Sequence, residues 1–156
     1  MNASKQLALH LKQVYFGGNW TWSNLKDNLK GVSLKQATAQ INGLNTIAVL
    51  TFHIHYFVKV QLKLLKEGVL DGKDSESFEH PPFKTEEDWV KYKEEIFTEA
   101  EEYISILADF DESMLYNDLI EKKYGSYFRN FLGLIEHTHY HLGQIAIVKK
   151  LTSNKS

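Results

Sequence analysis

The sequence predicts an all-α fold, a bundle of long amphipathic helices. Three or four long segments repeat apolar residues at three-and-four spacing, and almost none alternates apolar and polar residues as a half-buried strand does. Capping residues and glycines stand where those segments begin and end. With 156 residues the chain has the size of one domain, 1–156, and can enclose a single hydrophobic core without staples.

Asn2 or Ser4 can cap a first helix in which Leu7, Ala8, Leu11, Val14 and Tyr15 form one apolar face, and Gly17-Gly18 stops it. A long connection follows. Its Trp20 and Trp22 are expected to plug the end of the core or to line a pocket mouth. Within it, Ser33 begins a short helix that runs through Ile41. A helix over 45–67 ends at Gly68, with Lys59, Lys63 and Lys66 as its wet stripe. At about 100° per residue, His53 points to the interior beside Leu50 and Phe57, while His55 sits at the water boundary.

Residues 69–84 read as a polar connection with turn signals at Asp71-Gly72 and Pro81-Pro82, and His80 within it has no assigned role. Thr85 opens a third long helix through a capping-box-like Thr-Glu-Glu-Asp, and Trp89, Tyr92, Ile96, Ala100, Tyr103 and Leu107 repeat along it. Its glutamates at 94, 95, 99, 101 and 102 read mainly as a solvated face. A second connection over 109–123 leads through Tyr124-Gly125-Ser126 into a final long helix over about 127–151. The tail from Thr152 to Ser156 is polar.

Composition narrows the functions. The 18 basic and 20 acidic residues leave a formal charge of −2, with no basic stripe of the kind that neutralises phosphates, so nucleic acid is not an expected partner. Absence of cysteine removes disulfides, thiolate ligands and a cysteine nucleophile. No segment has the apolar length of a membrane span or signal peptide, so the expected setting is the cytoplasm, with no membrane partner.

The informative stretch is residues 136–144, Glu-His-Thr-His-Tyr-His-Leu-Gly-Gln. His137 and His141, four apart, stand on one helix face and can grip one ion between them. His139 is turned away by roughly 160–200°, so a third ligand must come from another element. His53 on the second long helix is the interior candidate. His55 and His139 are secondary ones. Glu136 and His139 make one Glu-xx-His, but the second such pair that a di-iron bundle needs is missing. His-Glu-xx-His and Gly-x-Ser-x-Gly signatures are also absent.

These residues resemble the DinB-like or YfiT-like metal-binding four-helix bundles. The last helix of that family carries a His-xxx-His pair followed by Gly-Gln, as in His137 to Gln144, and its second helix carries a single histidine followed by Ile, as in His53-Ile54. The likeness covers nearly the whole chain and includes the tryptophan-containing connection and the Gly31-Val32-Ser33 lead into a short helix. Leu142 departs from it. An arginine often stands there in relatives, so no positive charge beside the metal is carried over.

The resemblance implies a four-helix bundle with a short extra helix in the first connection. It also implies a divalent ion, zinc or nickel, on His53, His137 and His141, and a homodimer. The activity it implies is transfer of a low-molecular-weight thiol to a small electrophile, with metal-dependent hydrolysis and a non-catalytic metal-binding stress or structural bundle as alternatives. Three imidazoles leave an ion one exchangeable position. Gln144 is the candidate to orient the bound ligand, or it serves the bundle by a hydrogen bond alone.

Overall fold

The computed structural model describes residues 2–153. The last residues of the polar tail, Asn154, Lys155 and Ser156, and the first residue, Met1, lie outside them. Among the described residues the regular elements are helices, with isolated bridges at Ile41–Leu44 and Asp118–Ser126. In order they are α1 (Ala3–Phe16), α2 (Leu25–Leu29), α3 (Leu34–Ala37), α4 (Ile47–Glu67), α5 (Glu86–Ala108) and α6 (Tyr127–Ser153). Short 3-10 turns lie in the last two long connections.

Each helix starts where a side chain can take up a free amide of its first turn. Asn2 accepts from Lys5 N, Asn24 from Asp27 N, Ser33 from Gln36 N and Thr46 from Val49 N. Thr85 and Asp88 close a reciprocal capping box at the head of α5. Gly68 ends α4 in the left-handed conformation at φ 72° and donates to Leu64 O. The helix expected to run from Ser33 through Ile41 is shorter, because its cap is followed by one turn only before a tight bend around Gly43.

The helices α1 and α4 each pack against both α5 and α6, and one hydrophobic cluster lies between them. All six positions that form the apolar stripe of α5, from Trp89 to Leu107, are buried. Trp89 also donates Nε1–H to Val32 O at 2.9 Å, tying the head of α5 to the first connection. α4 is held on both flanks. Lys59 pairs with Glu95 and Lys66 with Glu102, so the glutamate face of α5 reaches the lysines of α4 while Glu95 and Glu102 remain exposed.

The two tryptophans of the first connection do not plug the core. Trp20 and Trp22 are 99% and 91% exposed. The end of the core is closed instead by Leu25 and by buried Asn19, whose Nδ2 donates to Gln13 O and Ser23 O at 2.8 and 2.7 Å. Its Oδ1 accepts from the Thr21 amide and hydroxyl. This staple holds the loop with Trp22 at φ 56°, in a region that a bulky residue rarely adopts. Trp20 edges an open cavity of about 460 Å³ beside α1.

Ile96→Ala is expected to lower unfolding free energy by about 2–5 kcal/mol, whereas Trp20→Ser changes it by less than about 0.5 kcal/mol. Urea titration followed by far-ultraviolet circular dichroism checks both.

Candidate metal centre

The seam between α4 and α6 brings His53, His137 and His141 together. Their ring centroids are 4.5 to 4.7 Å apart, and one nitrogen from each lies within 4.8 Å of the other two. Helical spacing places the pair on one face of α6, and α4 presents His53 opposite them. His53 and His141 are buried and His137 is half-buried. In a tetrahedral site with metal–nitrogen bonds near 2.0–2.1 Å, ligand nitrogens stand about 3.3 Å apart. His53 Nε2 and His137 Nε2 are 2.9 Å apart, so shifts of side-chain size bring the set to that spacing.

Hydrogen bonds on the far side of two rings decide which nitrogens face the centre. His53 Nδ1 lies 2.9 Å from Ser77 Oγ and 3.3 Å from Ser77 O. The Ser77 hydroxyl spends its proton on Asp74 O at 2.7 Å, so Nδ1 of His53 is the donor and Nε2 keeps its lone pair. His141 Nδ1 lies 2.7 Å from Gln144 Oε1. That amide oxygen can only accept, which leaves Nε2 of His141 unprotonated too. It follows that His137 donates Nε2–H to His53, and that its Nδ1, which is buried without a partner, carries the bare lone pair. Two of the three rings are thus in the tautomer a metal requires, fixed by outer partners as metal-binding histidines usually are. The residues fit a divalent ion that accepts nitrogen ligands.

Electrostatics favour neutral rings. Burial, reinforced by His141 and His53, pushes His137 down to about 4. Burial and His141 also hold His53 below the usual imidazole range. Phe78 stacks on His53 with centroids 3.9 Å apart, and Phe57 stands edge-on to His53 and His137.

The remaining histidines lie elsewhere. His55, expected at the water boundary, is 0% exposed and bonds Glu99 through Nε2 at 2.6 Å. The reason is that α5 covers this flank of α4. Burial lowers the His55 pKa more than Glu99 raises it, and the hydrogen bond from His55 lowers that of Glu99. The pair is a neutral imidazole donating to a carboxylate. His139 faces α1, where its ring meets that of His10 at 6.0 Å. His80 packs on Phe83. None of these four joins the cluster.

Gln144 orients His141 from behind. Sequence reasoning missed Ser77 and Phe78, which the 3-10 turn Asp74–Glu76 delivers from the connection between α4 and α5. A serine in a polar loop carries no periodic signal.

A cavity of about 280 Å³ between α4 and α6 reaches the cluster at His137. The larger cavity, about 570 Å³, is lined by Phe52, Tyr56 and Tyr92 on the α4–α5 side and touches none of the three histidines. The smaller one is the better guide to the chemistry because His137 lines it. Comparison with protein-family models, curated proteins and solved structures finds no match.

Zinc at about a thousand times its Kd is expected to stabilise the chain by about 4 kcal/mol. Gln144→Ala should weaken zinc binding by about 10–100-fold; calorimetric titration measures both. His53, His55, His137 and His139 all have folded pKa values below the ordinary 6.5, so the unfolded chain binds more protons as pH falls through that range. Stability of the metal-free protein is therefore full above about 6.5 and declines towards about 4. Thermal melts at intervals of pH should show Tm falling with acidification, and a flat profile would contradict it.

Proposed function

We propose that this chain is a four-helix bundle of the DinB-like or YfiT-like kind. In this reading it holds a divalent ion, zinc or nickel, on His53, His137 and His141 and transfers a low-molecular-weight thiol to a small electrophile. The observation that carries the reading is the all-imidazole cluster with outer partners on two rings and a cavity at the third. The same reading has the protein work as a homodimer in the cytoplasm.

When bound, a divalent ion in such a site supplies Lewis acidity that lowers the pKa of water to about 7 and favours thiolate over thiol. The three imidazoles bring no negative charge of their own to an anionic sulfur, and Glu136 lines the same cavity. Ser77 and Gln144 hold two rings in register. Phe57 and Phe78 keep water from one side and offer an apolar wall to the electrophile. In the transfer, the thiol loses its proton to solvent, sulfur forms a bond to the electrophilic carbon, and the leaving group departs with the electron pair of the bond that breaks.

No carboxylate joins the cluster among the described residues, so the ion itself would generate the nucleophile, as it can from a thiol or from water. One observation favours a second, non-catalytic reading: His137 and His53 are hydrogen-bonded to each other at 2.9 Å, so the cluster also has a role in holding α4 to α6. A reporter electrophile, 1-chloro-2,4-dinitrobenzene, mixed with a thiol separates the two. Chelated protein should consume it at the background rate, added zinc or nickel should restore turnover, and His137→Ala should abolish the gain. A chain that loses Tm on chelation but shows no metal-dependent consumption with any thiol would be the structural bundle.

A further inference from the structure

Arg129, Gly133 and His137 follow one another at four-residue intervals along α6, so they share one face of the helix. Gly133 stands in mid-helix, where glycine costs about 1 kcal/mol relative to alanine. Close packing does not demand it, since a Cβ there would meet nothing within 4 Å. What the missing side chain leaves is space. Gly133 lines the 280 Å³ cavity together with Phe57, Gln61, Arg129 and His137.

The polar groups of this slot differ in how they are used. Gln61 donates to Asn130 O at 3.2 Å and accepts from the Tyr103 hydroxyl. Asn130 Nδ2 donates to Tyr124 O and Ser126 O at 2.9 and 2.8 Å. Both amides are spent within the protein. Arg129 uses Nη1 on Tyr124 O at 3.0 Å, which fixes the guanidinium, and it has no carboxylate partner among the described residues. Its other donors remain for a guest. Glu136 also lines the slot, and Arg129 stands eight residues before His137 on the helix. Eight residues of helix span about 12 Å.

We infer that the slot binds the carboxylate tail of an elongated ligand, with the tail on Arg129, the apolar middle over Gly133 and against Phe57, and the head at the histidine cluster. That the head is a thiol rests on the function proposed above. The tail stands on Gly133 and Arg129 alone. At an exposed guanidinium such as Arg129 a carboxylate contact adds up to about 1 kcal/mol, which is up to about fivefold in affinity.

The test uses the full chain loaded with cobalt(II) and two probes of equal length, 6-mercaptohexanoate and 6-mercaptohexanol, followed by the near-ultraviolet sulfur-to-cobalt absorption. The acid is expected to bind about two- to fivefold more tightly than the alcohol. Arg129→Gln should reduce the acid to the affinity of the alcohol. Gly133→Leu should weaken both, with cobalt content unchanged in each variant. Equal binding of acid and alcohol, or a preference that survives Arg129→Gln, overturns the inference. Adipate, which has no sulfur, separates the slot from the thiol. If neither thiol produces the absorption while adipate perturbs the cobalt spectrum in an Arg129-dependent way, the slot stands and the thiol reading falls. If no probe depends on Arg129, the slot falls.

Discussion

Three imidazoles share one seam between two helices, and the local architecture follows from keeping them satisfied. A buried ring nitrogen without a partner is costly. Ser77 and Gln144 answer that cost for His53 and His141, and in doing so turn both Nε2 atoms towards the centre. The short turn over Asp74–Glu76, the buried Ser77 and the stacked Phe78 are all consequences at the α4 side. His137 has no outer partner. Its ring is the one whose environment a bound ion or ligand changes most, and it is the one that the cavity reaches.

α4 shows how one helix divides its labour. His53 and His55 are two residues apart and therefore point in nearly opposite directions, about 200° around the axis. One meets α6 and two other imidazoles; the other meets α5 and a carboxylate. The outcomes differ although both rings are buried and neutral. His55 donates to Glu99 and ends there, its Nδ1 facing the core. His53 donates outward to Ser77 and keeps its lone pair for the seam. The direction in which a ring spends its proton, more than its burial, separates the histidine that ends on a carboxylate from the one that joins the cluster.

Much of the helical framework was legible, because apolar spacing fixes an angle about each helix's own axis. The α5 stripe from Trp89 to Leu107 is buried throughout, and the caps at Asn2, Ser33, Thr46 and Thr85 begin their helices. The same angle put His53 inside and His137 beside His141. Spacing does not say which neighbour covers the next flank, and so His55 was placed at the water boundary while α5 in fact encloses it. Loop residues carry no period at all. Ser77 gave no sign of its bond to His53, and the loop tryptophans gave none that Asn19, through four hydrogen bonds, would close the core in their place.

That loop has a practical side. Of the three tryptophans in the chain, two are almost wholly in water and one, Trp89, is sealed in the core. The native emission is thus already that of solvated indole, and unfolding shifts the spectrum of a single fluorophore against a bright, unchanging background. Iodide should quench most of the signal from the folded chain. Most of the fluorescence from this protein comes from the surface of one loop, and a melting curve taken by that route would show a small amplitude carried by Trp89 alone.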